Sequence, residues 1–276
     1  MKPSARRGGV ARSLVAIVVL AFVLSPVYWM VNASLLPAGR PSHGGWFPAD
    51  PDPSGYLTAL HDQGGALVTS LVVSLGTAAL SLALAAPAAH ALTLSPLPGT
   101  GPFLFGVLLV QAVPGISVAN ALHGLYADTG LLDTYLGLVL ADSTAGVPLA
   151  ILLLRTAMAA IPREIVEAAR LDGAGAWRVF RSVVLPLSRN ALVTAGLFAF
   201  LLTWGDTLFA LTLTTTDAVR PITLGLYDYL GAHTTRWNAT MATAVLASLP
   251  AAVLVVVAQR HITTAPAAGA VHRGHR

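Results

Sequence analysis

The sequence predicts an all-α integral membrane protein of six transmembrane helices, and three observations carry that reading. Hydrophobic residues make up 55% of the chain and charged residues only 10%, against about a quarter charged in soluble proteins. The apolar residues fall in long runs, several of them exceeding the ~20 residues needed to cross a bilayer. The basic residues gather on alternate connections. With both ends and the loop after Ile161 inside, 13 of the 16 Lys and Arg share one face and only Arg40, Arg220 and Arg236 lie opposite, as positive-inside topology requires. The net charge of +4 therefore belongs to a membrane face, and no nucleic-acid partner is expected. The absence of cysteine removes disulfides, thiolate metal sites and cysteine nucleophiles together.

The spans follow in order. Residues 1–13, with Lys2, Arg6, Arg7 and Arg12, form a cytoplasmic N-terminal segment. The apolar run 14–36 is too long for a signal-peptide core and reads as an uncleaved first span. Residues 36–65 read as a polar extracytoplasmic connection, with Trp46, Phe47 and Tyr56 at the interface. The second span, 66–94, contains no charged residue, and 95–101 is a tight turn. A third span at 102–126 is interrupted by Pro114-Gly115, a break tolerated only where it faces protein or water. Spans at 134–160, 190–213 and 238–259 complete a permease domain of 14–260, followed by a basic cytoplasmic tail, 261–276.

Between the fourth and fifth spans lies the densest charge in the protein, residues 161–186, IPREIVEAARLDGAGAWRVFRSVVLP. Pro162 suits the first helical position, where its missing N–H costs nothing, and Glu164 and Glu167 then meet the positive end of the helix dipole. Gly173 supplies the stop. The resulting helix mixes small, apolar and charged surface, so it fits a protein groove and not a bilayer. A second amphipathic turn runs through Trp177, Phe180 and Val184, with Pro186 expected to end it.

Glu167-Ala168-Ala169, Asp172-Gly173-Ala174, Phe180 and Leu185-Pro186 together resemble the cytoplasmic EAA loop of bacterial ABC importer permeases, most closely the binding-protein-dependent sugar permeases related to the maltose system. Trp204, Pro221 with Thr223, Leu249-Pro250 and Gln259-Arg260 extend the resemblance over nearly the whole chain. Two features depart from it: the 95–101 turn lacks the usual basic residues, and Thr69-Ser70 stands where an Asn-Ser pair is common. The resemblance implies a type I ABC importer permease bundle in which Glu167, Ala168, Ala169, Asp172, Gly173 and Ala174 couple to an ATPase. An ordinary amphipathic surface helix is the alternative for the same residues. The resemblance also implies a dimer of ABC ATPases as partner, a second permease subunit expected to be a different chain, and an extracytoplasmic solute-binding protein. It places the chain in the bacterial inner membrane with both termini cytoplasmic.

The chain carries no cofactor motif of its own. Its only lysine is Lys2, ahead of every span, so no GxxxxGK[ST] loop exists and ATP is expected to be used by the partner ATPases. With neither GxSxG nor HExxH, an intramembrane hydrolase is disfavoured and no enzyme activity is expected. A self-sufficient secondary transporter, or an ABC permease for a solute other than a sugar, remains the alternative function.

Five polar or aromatic residues inside the spans are candidates for the substrate pathway. Asp142 and Asp206 fall in the outer half of the membrane, where a buried carboxylate costs on the order of 3 kcal/mol and should face a cavity or a partner. Gln111 and Asn120 flank the Pro114-Gly115 break, and the Trp204 indole suits the apolar face of a sugar ring. Structural readings stand beside these: Asp206 at the outer interface, Asn120 bonding across helices, Trp204 packed in the bundle. Asp142, flanked by Ser143 and Thr144, resists a packing account, although a gate role and a substrate role are equally open. No metal site is expected, since His90, His261, His272 and His275 lack partners at ligand spacing and read as interfacial or solvated.

Overall fold

In the computed structural model, residues 4–39, 46–48, 50–94, 98–231 and 236–262 are described. Lys2, Arg40, residues 95–97 of the expected turn and the distal tail with His272 and His275 lie outside them. The described residues form helices and no strand: α1 (Ser4–Ser34), α2 (Ser54–Leu94), α3 (Thr100–Gln111), α4 (Gly115–Thr129), α5 (Tyr135–Ala159), α6 (Arg163–Leu171), α7 (Ala176–Val179), a π turn (Phe180–Val184), α8 (Leu185–Leu187), α9 (Arg189–Trp204), α10 (Leu208–Leu213), a 3₁₀ turn (Asp217–Val219), α11 (Ile222–Gly231) and α12 (Trp237–Ile262). Four of them contain a stretch long and apolar enough to cross a membrane, in α1, α2, α5 and α12, and two bent pairs bring the number to six.

Several elements differ in extent from the sequence expectation. The second span begins at Ser54, within the expected polar connection, so α2 runs for 41 residues. At 1.5 Å per residue that is about 62 Å, twice the ~30 Å hydrocarbon core, and part of it must project beyond the lipid. Gly64, Gly65 and the polar His61, Asp62 and Gln63 disguise this extension, because glycine costs a helix about 1 kcal/mol relative to alanine. Tertiary bonds compensate: Gln63 Nε2 donates to Asp228 Oδ2 at 3.3 Å, and the Tyr229 hydroxyl to Asp62 Oδ2 at 3.3 Å.

The third span is broken at Ala112–Pro114, and α3 and α4 meet at 89°. Pro114 has no N–H to continue α3 and biases Val113 away from helical geometry, so the chain restarts at Gly115. Neither α3, about 18 Å long, nor α4, about 22 Å, crosses the core alone. The fifth span holds a break that the sequence reading lacked: α9 ends at Trp204 and α10 begins only at Leu208. In the charged loop, Pro162 stands one position earlier than expected, as the N-cap of α6 with φ −56° and ψ 130°. Pro186 does not end the second amphipathic segment. The wider π turn just before it relieves the clash of the proline ring with the carbonyl four residues earlier, and the chain bends by 78° only at Ser188.

The chain divides into two compact units, Met1–Gly64 with Gly225–Leu249 and Gly65–Leu224 with Pro250–Arg276. In the first, Ser34 Oγ pairs with the Tyr56 hydroxyl at 2.7 Å, Asn32 Nδ2 donates to the Trp46 carbonyl at 2.8 Å, and the Asp52 N–H donates to the Leu35 carbonyl at 2.8 Å. These bonds tie the first connection to the end of α1. The apolar stretch of α1 itself is unburied within the chain.

In the second unit, α5 packs along α9, and α4 along α10. The α2–α5 contact is made of small residues: a Cβ on Gly76 would stand 2.9 Å from Val139 Cγ2, and one on Gly146 2.6 Å from Ser81 Oγ. Such close approach is how helices associate where lipid removes the hydrophobic drive. Along this face the buried hydroxyls of Ser74, Thr77 and Ser81 have no hydrogen-bond partner among the described residues.

The start of α5 is fixed by a clamp. Asp133 adopts φ 56°, in the left-handed region that Asp and Asn tolerate better than other side chains. Its carboxylate accepts from the Thr215 N–H at 2.7 Å, the Thr216 N–H at 2.8 Å and the Thr215 hydroxyl. Partial burial pushes the Asp133 carboxyl up, but these bonds from Thr215 and Thr216 outweigh it and hold it below its ordinary value. A depressed folded-state pKa contributes stability above the unfolded value that is lost as pH falls through the folded one. Asp133→Asn should thus lower the melting temperature at neutral pH and flatten its decline in acid, and Asp133→Ala should cost more, about 1–2 kcal/mol. Melting curves of the purified protein from neutral pH into the acid range check both.

Candidate functional site

Two places in the second unit gather the candidate residues. The first is α6. Val166 is 4% exposed and anchors the helix on a core that includes Ala85 and Ala89 of α2, Leu154 and Met158 of α5, and Val179 and Phe180. Asp172 follows the last helical residue, and Gly173 at φ +82° turns the chain. The Gly173 N–H donates to the Arg170 carbonyl and the Ala174 N–H to the Ala169 carbonyl, both at 3.0 Å. This bond pair is the Schellman closure, which satisfies carbonyls left over at a helix end. The helix therefore presents a fixed outer face with a defined stop.

That outer face carries Glu164, Ile165, Glu167, Ala168 and Leu171, with Asp172 and Gly173 beyond them, all exposed. Leu171 is 88% exposed, and Trp177 in the next turn 68%. Of the expected small surface, Ala168 is open, whereas Ala169 and Ala174 are half-buried against the chain's own core. Leu171 and Trp177 escaped the sequence reading as surface anchors, because an apolar residue on an amphipathic helix is read as inward-facing by default. At the foot of this region, His90 is half-buried with its ring 5.1 Å from that of Phe180, and its Nδ1 has no partner among the described residues. Of the two expected readings, interfacial or solvated, full solvation does not hold: the ring is half-buried against Phe180.

The second place is a small cavity lined by Ser70, Val73 and Ser74 of α2, Leu138 and Asp142 of α5, and residues of the α9–α10 region including Thr203 and Asp206. Its free space admits little more than a water molecule. Asp142 is 8% exposed. Ser143 and Thr144 do not serve it, since their hydroxyls bond to the carbonyls of Val139 and Ala141 at 2.6 Å. Asp206 supports the backbone. Its Oδ2 accepts from the N–H groups of Phe209 at 2.9 Å and Ala210 at 3.2 Å, starting α10 after the break. Thr223 Oγ1 donates to the Asp206 carbonyl at 2.8 Å.

The other three pathway candidates lie elsewhere. Trp204 is 9% exposed and stacks on Phe200, with ring centroids 5.4 Å apart and 15° between planes, and it does not line the cavity. Gln111 and Asn120 are exposed on either side of the α3–α4 bend. Ser70, Ser74 and Thr203 were missed. Their signal is the spacing of Ser70, Ser74, Thr77 and Ser81 at three and four residues, which places one row of hydroxyls along a single helix face. Among the described residues no group of three His, Cys, Asp or Glu is arranged to hold a metal.

Comparison with known proteins places this arrangement among transport components. Residues 3–265 match the family described as "Binding-protein-dependent transport system inner membrane component". The trehalose transport system permease protein SugB of Mycobacterium tuberculosis is 31% identical over 257 residues, 92% of this chain and 94% of that protein. The diacetylchitobiose uptake system permease protein DasC of Streptomyces coelicolor is 30% identical over 268 residues, 96% of this chain and 97% of that protein. Among solved structures, that of a bacterial ABC transporter involved in the import of the acidic polysaccharide alginate contains a similar chain. It superposes with a TM-score of 0.77 at 22% identity, covering 95% of this chain and 99% of the other.

Proposed function

The chain belongs to the binding-protein-dependent transport system inner membrane components, and on that basis we propose that it carries sugars or sugar-like solutes, forming half of the translocation pathway. As the permease subunit of an ATP-driven importer it is a transport component and not an enzyme. The observation that carries the coupling role is the exposed face of α6: a helix anchored by Val166, ended at Gly173, and presenting Glu167, Ala168, Leu171 and Asp172 outward. Three large apolar side chains of this loop, Ile165, Leu171 and Trp177, are exposed on a segment too charged to enter lipid, and that supports a protein partner. An ABC ATPase dimer is that partner, and ATP is consumed there. Closure of the ATPases moves α6, and α6 moves α2 and α5 through the core they share.

The rest of the assembly follows from the same reading. A second permease subunit, a different chain, covers exposed apolar and polar surface such as the α3–α4 bend, so that Gln111 and Asn120 face the shared pathway. An extracytoplasmic binding protein delivers the solute. The sugar class is supported by the relatives, which are named for trehalose and diacetylchitobiose. Both termini and α6 are cytoplasmic.

The test is uptake in cells deleted for this gene, offered radiolabelled trehalose, chitobiose derivatives and α-glucosides beside amino-acid and inorganic-ion controls. Loss of one glycan alone, restored by the wild-type gene, is expected. Loss of a non-glycan solute alone overturns the sugar assignment. Reporters fused after Gly175 and at Asp52 should read inside and outside respectively, and the same reading from both overturns the topology.

A further inference from the structure

The cavity between α2, α5 and the α9–α10 break contains an imbalance of charge, and we propose that it is a binding site for a monovalent cation of sodium's size. Asp142 and Asp206 both line it, and among the described residues no Lys, Arg or His does. The two carboxylates do not have equal support. The Asp206 carboxylate is held by backbone N–H groups at the start of α10, those of Phe209 and Ala210 bonding to Oδ2. Asp142 receives no hydrogen bond from any described residue. Two carboxylates lining one space of low dielectric constant cannot both stay charged unless a cation lies with them; otherwise one must hold a proton.

A second feature points to an occupant independently. Ser74 is 1% exposed, lines the same cavity, and its Oγ has no hydrogen-bond partner among the described residues. A buried hydroxyl normally finds a partner. Its neighbour on the same helix face, Ser70, shows how these hydroxyls are used when a protein group is within reach: its Oγ accepts from the Ile222 N–H at 2.8 Å. Ser74, Asp142, Asp206 and Thr203 thus line one small space with oxygen-bearing side chains.

The chemistry of this donor set selects the ion. Every candidate ligand is oxygen, which suits hard cations and not the softer transition metals. Calcium takes six to eight oxygens and magnesium keeps several waters, whereas this cavity has room for little beyond one small ion. A sodium ion satisfies Ser74, separates the carboxylates and fits the space. It also bridges α2 to α5 and to the start of α10, beside the apolar contact that Val73, Leu138 and Phe209 make there. This site stands on the cavity and not on the importer reading, so its failure leaves that reading untouched.

The test uses the purified assembled complex at fixed pH and constant ionic strength, comparing NaCl with choline chloride. Sodium should raise the melting temperature saturably, by ~4 °C for each tenfold increase above half-saturation, and ²²Na⁺ should bind at one ion per copy of this chain. Asp142→Asn should abolish both effects, yet in choline should melt at or above the wild type, because the repulsion is gone. Ser74→Ala should keep the wild-type fold and weaken sodium binding about tenfold. The proposal is overturned if sodium and choline give the same melting curve, or if the sodium effect survives unchanged in Ser74→Ala.

Discussion

Gly173→Val is expected to leave the chain inserted and abundant while abolishing ATP hydrolysis stimulated by loaded binding protein. The position has nothing within 4 Å of where a Cβ would stand, so the substitution clashes with no neighbour. Its effect comes from the backbone alone. At φ +82° a β-branched residue is strained by about 2 kcal/mol, which corresponds to a roughly 30-fold shift against the native turn. That turn holds both bonds of the α6 stop, so the last carbonyls lose their partners and Leu171 and Asp172 leave their places. Gly173→Asn, which tolerates the left-handed region, should retain most coupling, and the contrast between the two isolates conformation from contact. Ala168→Trp provides an independent probe on the open face, whereas tryptophan at the half-buried Ala169 would disturb the chain's own core. Association with the ATPase and stimulated hydrolysis are the quantities to measure in the reconstituted complex. Normal values for both in Gly173→Val and Ala168→Trp would remove α6 from the coupling role.

The largest effect on stability is expected from a single methyl group. A Cβ on Gly137 would stand 2.2 Å from the Leu131 carbonyl oxygen and 3.0 Å from Thr134 Oγ1. Thr134 caps α5 by accepting from the Gly137 N–H at 3.0 Å while donating to that same Leu131 carbonyl at 2.7 Å. The obstacle is backbone and cannot rotate aside, so Gly137→Ala should cost about 3 kcal/mol and loosen the cap. Gly146→Ala makes the informative comparison. Its obstacle is Ser81 Oγ at 2.6 Å, a hydroxyl that one side-chain rotation removes, and the change should cost under about 1 kcal/mol. Helix propensity alone would favour alanine at both sites by about 1 kcal/mol. Thermal melting of the two purified variants separates the cases, and equal melting temperatures would refute the account.

The six-span class was legible because apolar runs and loop charge are properties of composition along the chain, requiring no knowledge of which helices touch. The stop at Gly173 and the interruption at Pro114 were legible for a related reason, since glycine and proline act on their own backbone. Features governed by tertiary contact were hidden. Residues 54–65 look like a loop until Asp228 and Tyr229 are found bonded to Gln63 and Asp62. The break after Trp204 carries local marks, Gly205 as a stop and Asp206 as a cap, but the apolar run on both sides hides them until the Asp206 side chain is seen capping α10. Within the candidate set, Asp142 and Asp206 were recognisable from the cost of burying charge, but their meeting in one cavity, and the exclusion of Trp204 from it, depends on how α5 and α9 pack.

The row of hydroxyls on α2 has a mechanical consequence. Thr77 and Ser81 lie against α5 without hydrogen bonds to it, so sliding along this stretch breaks no polar bond, the Thr69–Tyr135 hydroxyl pair at 3.4 Å lying toward the other end of the contact, and small side chains offer shallow corrugation to catch on. Friction at such a contact is low. Packed cores generally resist continuous deformation, and shear between helices is the motion that remains available to them. The Thr77–Ser81 stretch of the α2–α5 contact therefore behaves as a dry bearing, along which a stroke delivered at the α6 end of the bundle travels lengthwise with little of its work lost to unpacking.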